Sequence, residues 1–231
     1  MTAILAQFGD HTPHSPHTGS STLKPIEDLC LRVNPWDVVS FQKMAKAIQL
    51  LGVHLPFWWN WRFTDLAFFL IGEILHMCHK FFFDHILKWC KEVAGNHLLD
   101  THYKTQHKYV GTQHFASGMT HIKQMTGWEH RDIQRTIVPM ISKATSQVTP
   151  LFIYCIQSII KFIYRTQSPV HSDASLAAMV GALQEFHATC HTVVDAEARR
   201  GASSAKSDFN IPKLGLFQSF TCNITNNGNL I

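Results

Sequence analysis

The chain has 231 residues, of which 45% are hydrophobic and 16% are charged. This length suits one domain or two small ones. Its 16 Phe, 6 Trp and 4 Tyr exclude a wholly disordered chain, because such chains are poor in aromatic residues. The 20 Lys and Arg against 16 Asp and Glu leave a net charge of +4, which is too small to establish a nucleic-acid partner.

The N-terminal residues 1–24 are rich in His, Pro, Ser and Thr and have no apolar period, which predicts a disordered arm. The apolar start of this arm is short and has no basic flank, so we expect no secretory signal peptide. Order is expected to begin near Pro25. A helical domain is then predicted over residues 25–200, followed by a linker and a polar tail over residues 201–231.

Helix start signals recur along the predicted domain. The segment 34–37 combines a capping Asn, a Pro at the first helical position and an Asp in the first turn. Thr64 is placed to cap a helix over residues 65–94, and Gly95 is a natural stop.

The second half of the domain shows three further helices. Thr126 and Glu129 form a capping box that opens a helix over residues 127–138. Apolar residues nearly surround the axis of a helix over residues 150–166, which predicts a buried central helix. A long helix is expected over residues 173–199. We find no convincing strand, so the prediction is a mainly helical fold.

The six cysteines include no CxxC pair, and several lie in apolar helical patterns, which predicts buried free thiols in a reducing compartment. We therefore expect an intracellular protein of the nucleus or cytoplasm. Residues 55–89 are apolar but are interrupted by charged residues, so no membrane span is expected.

Two pairs of polar residues have the spacing of metal ligands. Glu73 and His76 lie one helical turn apart, as in the Glu-x-x-His pairs of di-iron bundles, but the chain has only one such pair. His187 and His191 lie four residues apart, without the Glu that zinc proteases place after the first His. Surface or satisfied side chains are the favoured interpretation. A helical metalloprotein using these four residues remains an alternative.

Residues 100–165 carry eight basic and three acidic residues, and Tyr103, His107, Tyr109 and Phe115 alternate with the first lysines. Phosphate neutralisation combined with aromatic stacking requires these residue types, although a solvated basic face has the same composition. The candidate nucleic-acid-binding residues are Lys104, Lys108, Lys123, Arg131 and Arg135.

Several short blocks occur in a fixed order along the chain. They are Glu73-Ile74-Leu75-His76, His79-Lys80-Phe81-Phe82-Phe83-Asp84-His85, Lys88-Trp89-Cys90-Lys91-Glu92, His114-Phe115-Ala116-Ser117-Gly118, Lys123-Gln124-Met125-Thr126-Gly127, Glu129-His130-Arg131-Asp132-Ile133-Gln134-Arg135, Phe162-Ile163-Tyr164, Pro169-Val170-His171-Ser172-Asp173 and Phe209-Asn210-Ile211-Pro212-Lys213-Leu214. In this order they resemble the C-terminal half of fungal Plavaka-type (KDZ-like) transposon proteins, over about residues 28–231.

The resemblance implies a DDE transposase, in which an RNase H-like core carries a large helical insertion and three carboxylates hold two Mg²⁺ ions. It places Glu73 at the second carboxylate and His76 at the histidine of the same motif. It also implies that the core strands and the other carboxylates lie outside this chain. We therefore expect an irregular multi-helix bundle resembling the insertion, with an incomplete or absent β core.

These implications predict a truncated, catalytically inactive protein derived from a transposase. It needs no cofactor, since Mg²⁺ would be required only by an intact DDE site. Weak, salt-sensitive DNA binding is expected, and no membrane or small-molecule partner. The alternative is a structural or protein-interaction module that self-associates through exposed apolar surface around Trp58, Trp59, Trp61 and residues 81–83.

Overall fold

The computed structural model describes residues 18–48, 50–61, 72–209 and 211–228. Within these ranges the chain is mainly helical and has no strand, and one isolated β-bridge joins Arg200 to Ala205. The prediction of a mainly helical fold is thus confirmed. The chain divides into two compact units, which we call the terminal unit (Met1–Gly72 with Phe209–Leu230) and the central unit (Glu73–Asp208).

The structure contains both α-helices and π-helical turns, and π1 and π2 denote the latter. In chain order the elements are α1 (Gly19–Arg32), α2 (Val38–Ala47), π1 (Leu75–His79), π2 (Phe82–Ile86), α3 (Leu87–Ala94), α4 (Asn96–Thr105), α5 (Gly127–Ile141), α6 (Pro150–Thr166), α7 (Asp173–Thr189), α8 (His191–Asp195), α9 (Pro212–Phe217) and α10 (Phe220–Asn227).

In the terminal unit, α1 packs against α2 around Leu29, Phe41 and Ala45. Helix α1 begins upstream of Pro25, where order was expected to start, because Thr18 forms a capping box with Ser21. Pro25 therefore lies inside the helix, and residues 19–24 of the predicted arm are helical. Residues 1–17 of that arm lie outside the described residues.

The predicted polar tail contains the two helices α9 and α10. Leu214, Phe217, Phe220 and Ile224 are buried and recur at intervals of three and four residues, as on one face of a helix. The many polar residues between them concealed this period. The structure therefore departs from the predicted division into one domain and a tail, because residues 209–228 belong to the terminal unit.

The central unit opens with a continuous helical run from residue 74 to residue 94, in which π1 and π2 precede α3. It ends at Gly95, whose φ of +81° suits a residue without a side chain. This agrees with the C-terminal end of the helix predicted over residues 65–94. Its start at Thr64 and residues 65–71 lie outside the described residues. The two turns of i to i+5 hydrogen bonding were not anticipated.

Helices α5, α6 and α7 of the central unit begin at the predicted signals, whereas α4 was not predicted. Thr126 caps α5 in a capping box with Glu129, Thr149 caps α6 with Pro150 at its first position, and Ser172 caps α7. Helix α6 packs against α7 and is the predicted buried helix, with Phe152, Ile156, Ile159 and Ile163 inaccessible. The long helix predicted over residues 173–199 instead consists of α7 and α8, which meet at Cys190.

All six cysteines are free thiols. Cys78, Cys90, Cys155 and Cys190 are buried as predicted, Cys30 is half-buried and Cys222 is exposed. Burial raises the pKa of Cys155 to about 12, so this thiol is not ionised near neutral pH. Within the ranges that the structure describes, no helix has the length and apolar character to cross a membrane.

Candidate functional site

Glu73 begins the helical run of the central unit, and its carboxylate is used by the backbone that follows. Its Oε2 accepts a hydrogen bond from the amide of Leu75 at 2.7 Å, and its Oε1 accepts one from the amide of His76 at 2.6 Å. The same oxygen contacts Nδ1 of His76, whose side chain is 79% exposed. The carboxylate thus caps the helix start by accepting hydrogen bonds from two of its first amides.

The electrostatics of Glu73 agree with a capping role. Partial burial raises its pKa, but the hydrogen bonds from His76 and Leu75 outweigh this effect and leave the pKa below its usual value. A pair of Mg²⁺ ions needs carboxylates from several places in the fold. Among the described residues, no three His, Cys, Asp or Glu side chains form a group that could hold a metal ion. The described residues therefore do not fit two Mg²⁺ ions at Glu73.

The same finding applies to the helical metalloprotein alternative. His187 lies near the end of α7 and is half-buried, whereas His191 is exposed and begins α8. Glu73, His76, His187 and His191 are all described residues, and they do not come together in such a group. His187 instead packs its ring against Phe186, with the ring centroids 5.6 Å apart.

A buried polar cluster near Glu73 was not predicted from the sequence. The rings of His79 and His130 stack at 5.7 Å with an angle of 9° between their planes. Nε2 of Gln134 lies 3.0 Å from Nδ1 of His79, where the amide can donate. Burial lowers the pKa of His79 to about 4 and also lowers that of His130, so both rings are neutral near pH 7.

The candidate nucleic-acid-binding residues all belong to the central unit, and we call them the basic set. Lys104, near the end of α4, and Lys108 and Lys123, in the segment between α4 and α5, are exposed. On α5, Arg131 is half-buried, and Arg135 is 52% exposed and lies 3.6 Å from Asp132.

Two acidic residues hold the segment between α4 and α5, which we call the basic loop (residues 106–126). Asp100 accepts hydrogen bonds from the amides of Met119 and Thr120 and from the hydroxyl of Thr120, at 2.7–2.9 Å. Asp132 accepts one from the amide of Gln113 at 2.7 Å. These carboxylates tie the loop to α4 and α5, and they position the backbone that carries Lys108 and Lys123.

The aromatic residues predicted to alternate with the lysines do not share one role. Tyr103 and Phe115 are buried and pack edge to face, with ring centroids 5.5 Å apart, so neither presents a face to a ligand. Tyr109 is 62% exposed, and His107 is exposed. The sequence reasoning missed Trp128, which is 72% exposed, because it treated this residue only as part of a helix start. Its basic neighbours Arg131 and Arg135, three and seven residues further along α5, were the available signal.

The fold and these residues define a mainly helical chain whose basic set lies in the central unit. The family model of Plavaka transposase matches residues 1–90. This match confirms the resemblance to Plavaka-type transposases within residues 28–90 and supports a transposase-derived origin, whereas the resemblance expected over residues 91–231 stays a prediction. It includes Glu73 and His76, whereas the basic set lies beyond the matched residues. No significant match was found among curated proteins or among solved structures.

Proposed function

We propose that this transposase-derived chain binds DNA weakly and without base preference through the basic set, and that it does not catalyse strand transfer. The observation that carries the proposal is the way the basic loop is held. Its lysines are exposed, while Asp100 and Asp132 are engaged in hydrogen bonds with the backbone. Exposed cations on an anchored loop can neutralise phosphates at a small entropic cost.

We propose the absence of strand transfer because the Glu73 carboxylate is already occupied by hydrogen bonds from the backbone. A catalytic carboxylate must offer its oxygens to a metal, whereas both oxygens of Glu73 accept backbone amides of its own helix start. The expected assay result is no joined product from oligonucleotide ends with either Mg²⁺ or Mn²⁺. Product that disappears in Glu73→Gln would contradict this part of the proposal.

DNA binding is tested with two triple variants of equal charge. Lys104, Lys108 and Lys123 are replaced by Ala in the first, and the exposed Lys24, Lys43 and Lys46 of the terminal unit are replaced in the second. Fluorescence anisotropy with a labelled oligonucleotide at low salt should show affinity reduced at least tenfold only in the first variant, because each lost phosphate contact weakens binding. Equal effects of the two variants would indicate attraction by net charge alone.

A protein-interaction module is the second candidate, and the apolar surface that favours it only partly coincides with the predicted one. Phe81 and Phe82 are buried in the central unit and Trp58 is buried in the terminal unit, whereas Trp59 and Trp61 remain partly exposed. Among the described residues of the terminal unit, the most exposed apolar side chains are Leu31, Trp36, Val39 and Phe57. Size-exclusion chromatography with light scattering tests self-association through them. A monomer at all concentrations would argue against this candidate.

A further inference from the structure

Trp128 leaves 72% of its surface exposed, more than any other Phe, Tyr or Trp described in the central unit. It is the second residue of α5, where the capping box of Thr126 and Glu129 fixes the backbone. The guanidinium carbon of Arg131 lies 5.3 Å from the centre of the Trp128 ring. This cation–π contact orients the ring on one side and leaves the rest of its surface to solvent.

Acidic residues next to Trp128 offset its basic neighbours, so phosphate contacts alone would contribute little to DNA affinity at this helix. Arg131 and Arg135 lie on the same face of α5 as Trp128, over about 10 Å of the helix axis. Glu129 and Asp132 oppose them, and Asp132 lies 3.6 Å from Arg135. Since residues 127–135 of α5 carry two basic and two acidic side chains, a ligand there needs an attraction other than neutralisation of phosphates.

The surface next to Trp128 is an open groove with both polar and apolar walls. It is lined by Gly111, Thr112 and Gln113 of the basic loop and by Thr126, Trp128, Glu129 and Asp132. The two carboxylates accept hydrogen bonds from the amides of Thr126 and Gln113. The side chain of Gln113 is exposed, and its amide can both donate and accept hydrogen bonds. A flat ring beside such groups suits a ligand with a π-face and hydrogen-bonding edges. An unpaired nucleobase has both, whereas a base inside a duplex hides its faces.

We propose that Trp128 is a stacking platform for an unpaired base, so that the DNA class bound by the central unit is single-stranded. This rests on the proposed DNA binding and narrows its substrate. Arg131 holds one face of the ring, the base stacks on the other, and the adjoining phosphates face the lysines of the basic loop. Base stacking of this kind is sequence-tolerant, because every base offers a π-face.

The test compares a labelled 15-nucleotide single strand with the duplex of the same sequence, by anisotropy at low salt. Wild-type protein should bind the single strand more tightly. Trp128→Ala should weaken single-strand binding about tenfold and duplex binding less than twofold, since losing one stacked base reduces affinity by about 5- to 100-fold. Trp128→Phe, which keeps a ring, should stay within about threefold of wild type. Trp36→Ala is the matched control, because Trp36 is 76% exposed in the other unit.

The outcomes separate the stacking role from DNA binding itself. If wild type binds both DNA forms and Trp128→Ala binds them as wild type does, the stacking role is wrong and the proposed DNA binding stands. The stacking role is also wrong if Trp128→Ala weakens both forms equally, or if Trp36→Ala has the same effect. If wild type binds neither form, both proposals fail. Unchanged circular dichroism and thermal unfolding of Trp128→Ala verify that a loss is not one of folding.

Discussion

Carboxylates accept hydrogen bonds from backbone amides both at Glu73 and at the basic loop, but the effect on function differs. At Glu73 a candidate catalytic group is occupied, whereas at the basic loop candidate DNA-binding groups are kept exposed. At Glu73 the acid that the family resemblance marks as catalytic is engaged by its own helix start. Asp100 of α4 and Asp132 of α5 are engaged in the same way, but they hold the basic loop, whose lysines stay exposed. The residue type alone therefore does not identify a site. What matters is which groups remain free after the backbone is satisfied.

The largest expected effect is on the anchor of the basic loop. Asp100→Ala removes the acceptor of three hydrogen bonds from Met119 and Thr120. Hydrogen bonds to a charged group are strong, so we expect the free energy of unfolding to fall by about 3 to 4 kcal/mol in urea denaturation. Asp28→Ala, at an exposed position of α1, should change it by less than about 0.5 kcal/mol. Equal stability of the two variants would refute the anchoring role.

A second substitution tests the same anchor from the loop side. Gly118 has a φ of +86°, and a Cβ there would overlap the side chain of Asp100. Gly118→Ala should therefore reduce the free energy of unfolding by about 2 to 3 kcal/mol. Gly111→Ala is the control, because Gly111 has a φ of +81° but open space around it, and its effect should be about 1 kcal/mol. Identical losses would mean that the contact with Asp100 adds nothing.

The buried imidazole pair predicts how stability depends on pH. Burial lowers the pKa of His79 from 6.5 to about 4, so between these values the unfolded chain binds a proton that the folded chain does not. The contribution of this group to stability should be constant above about pH 6.5. It should fall by about 3 kcal/mol as the pH drops towards 4. Urea denaturation at several pH values measures this.

Variants of single histidines then assign the acid-dependent loss. His130→Phe should flatten the pH profile, because it removes one of the two stacked titrating rings and keeps a planar side chain. His121→Phe, at an exposed histidine, should leave the profile unchanged. A profile that responds equally to both variants would assign the loss to other groups.

The smallest effect is expected at the position that the family resemblance marks as catalytic. Glu73→Ala removes the acceptor of the amides of Leu75 and His76, and loss of a helix cap lowers the free energy of unfolding by about 1 kcal/mol. DNA affinity should remain within about twofold of wild type. A DNA affinity that fell more in Glu73→Ala than in the triple lysine variant of the central unit would reverse the roles given to the two regions.

The features that could be predicted from the sequence are those that depend on residues close together along the chain. The capping box of Thr126 and Glu129 depends on four consecutive residues, and the burial of α6 follows from its continuous apolar composition. The exposure of Trp128 and the burial of Tyr103 depend on which elements pack against them, so spacing along the chain does not reveal either. The same holds for the stacking of His79 on His130, which lie on separate helices.

Salt dependence tests the central claim, DNA binding through the basic set, most directly. Each phosphate contact contributes a slope of about −0.9 to a plot of log affinity against log salt for duplex DNA and about −0.7 for a single strand. The account predicts that replacing Lys104, Lys108 and Lys123 by Ala makes the wild-type slope shallower by about 2 units, while replacing Lys24, Lys43 and Lys46 leaves it unchanged. A slope that is the same in wild type and in the first variant would contradict it.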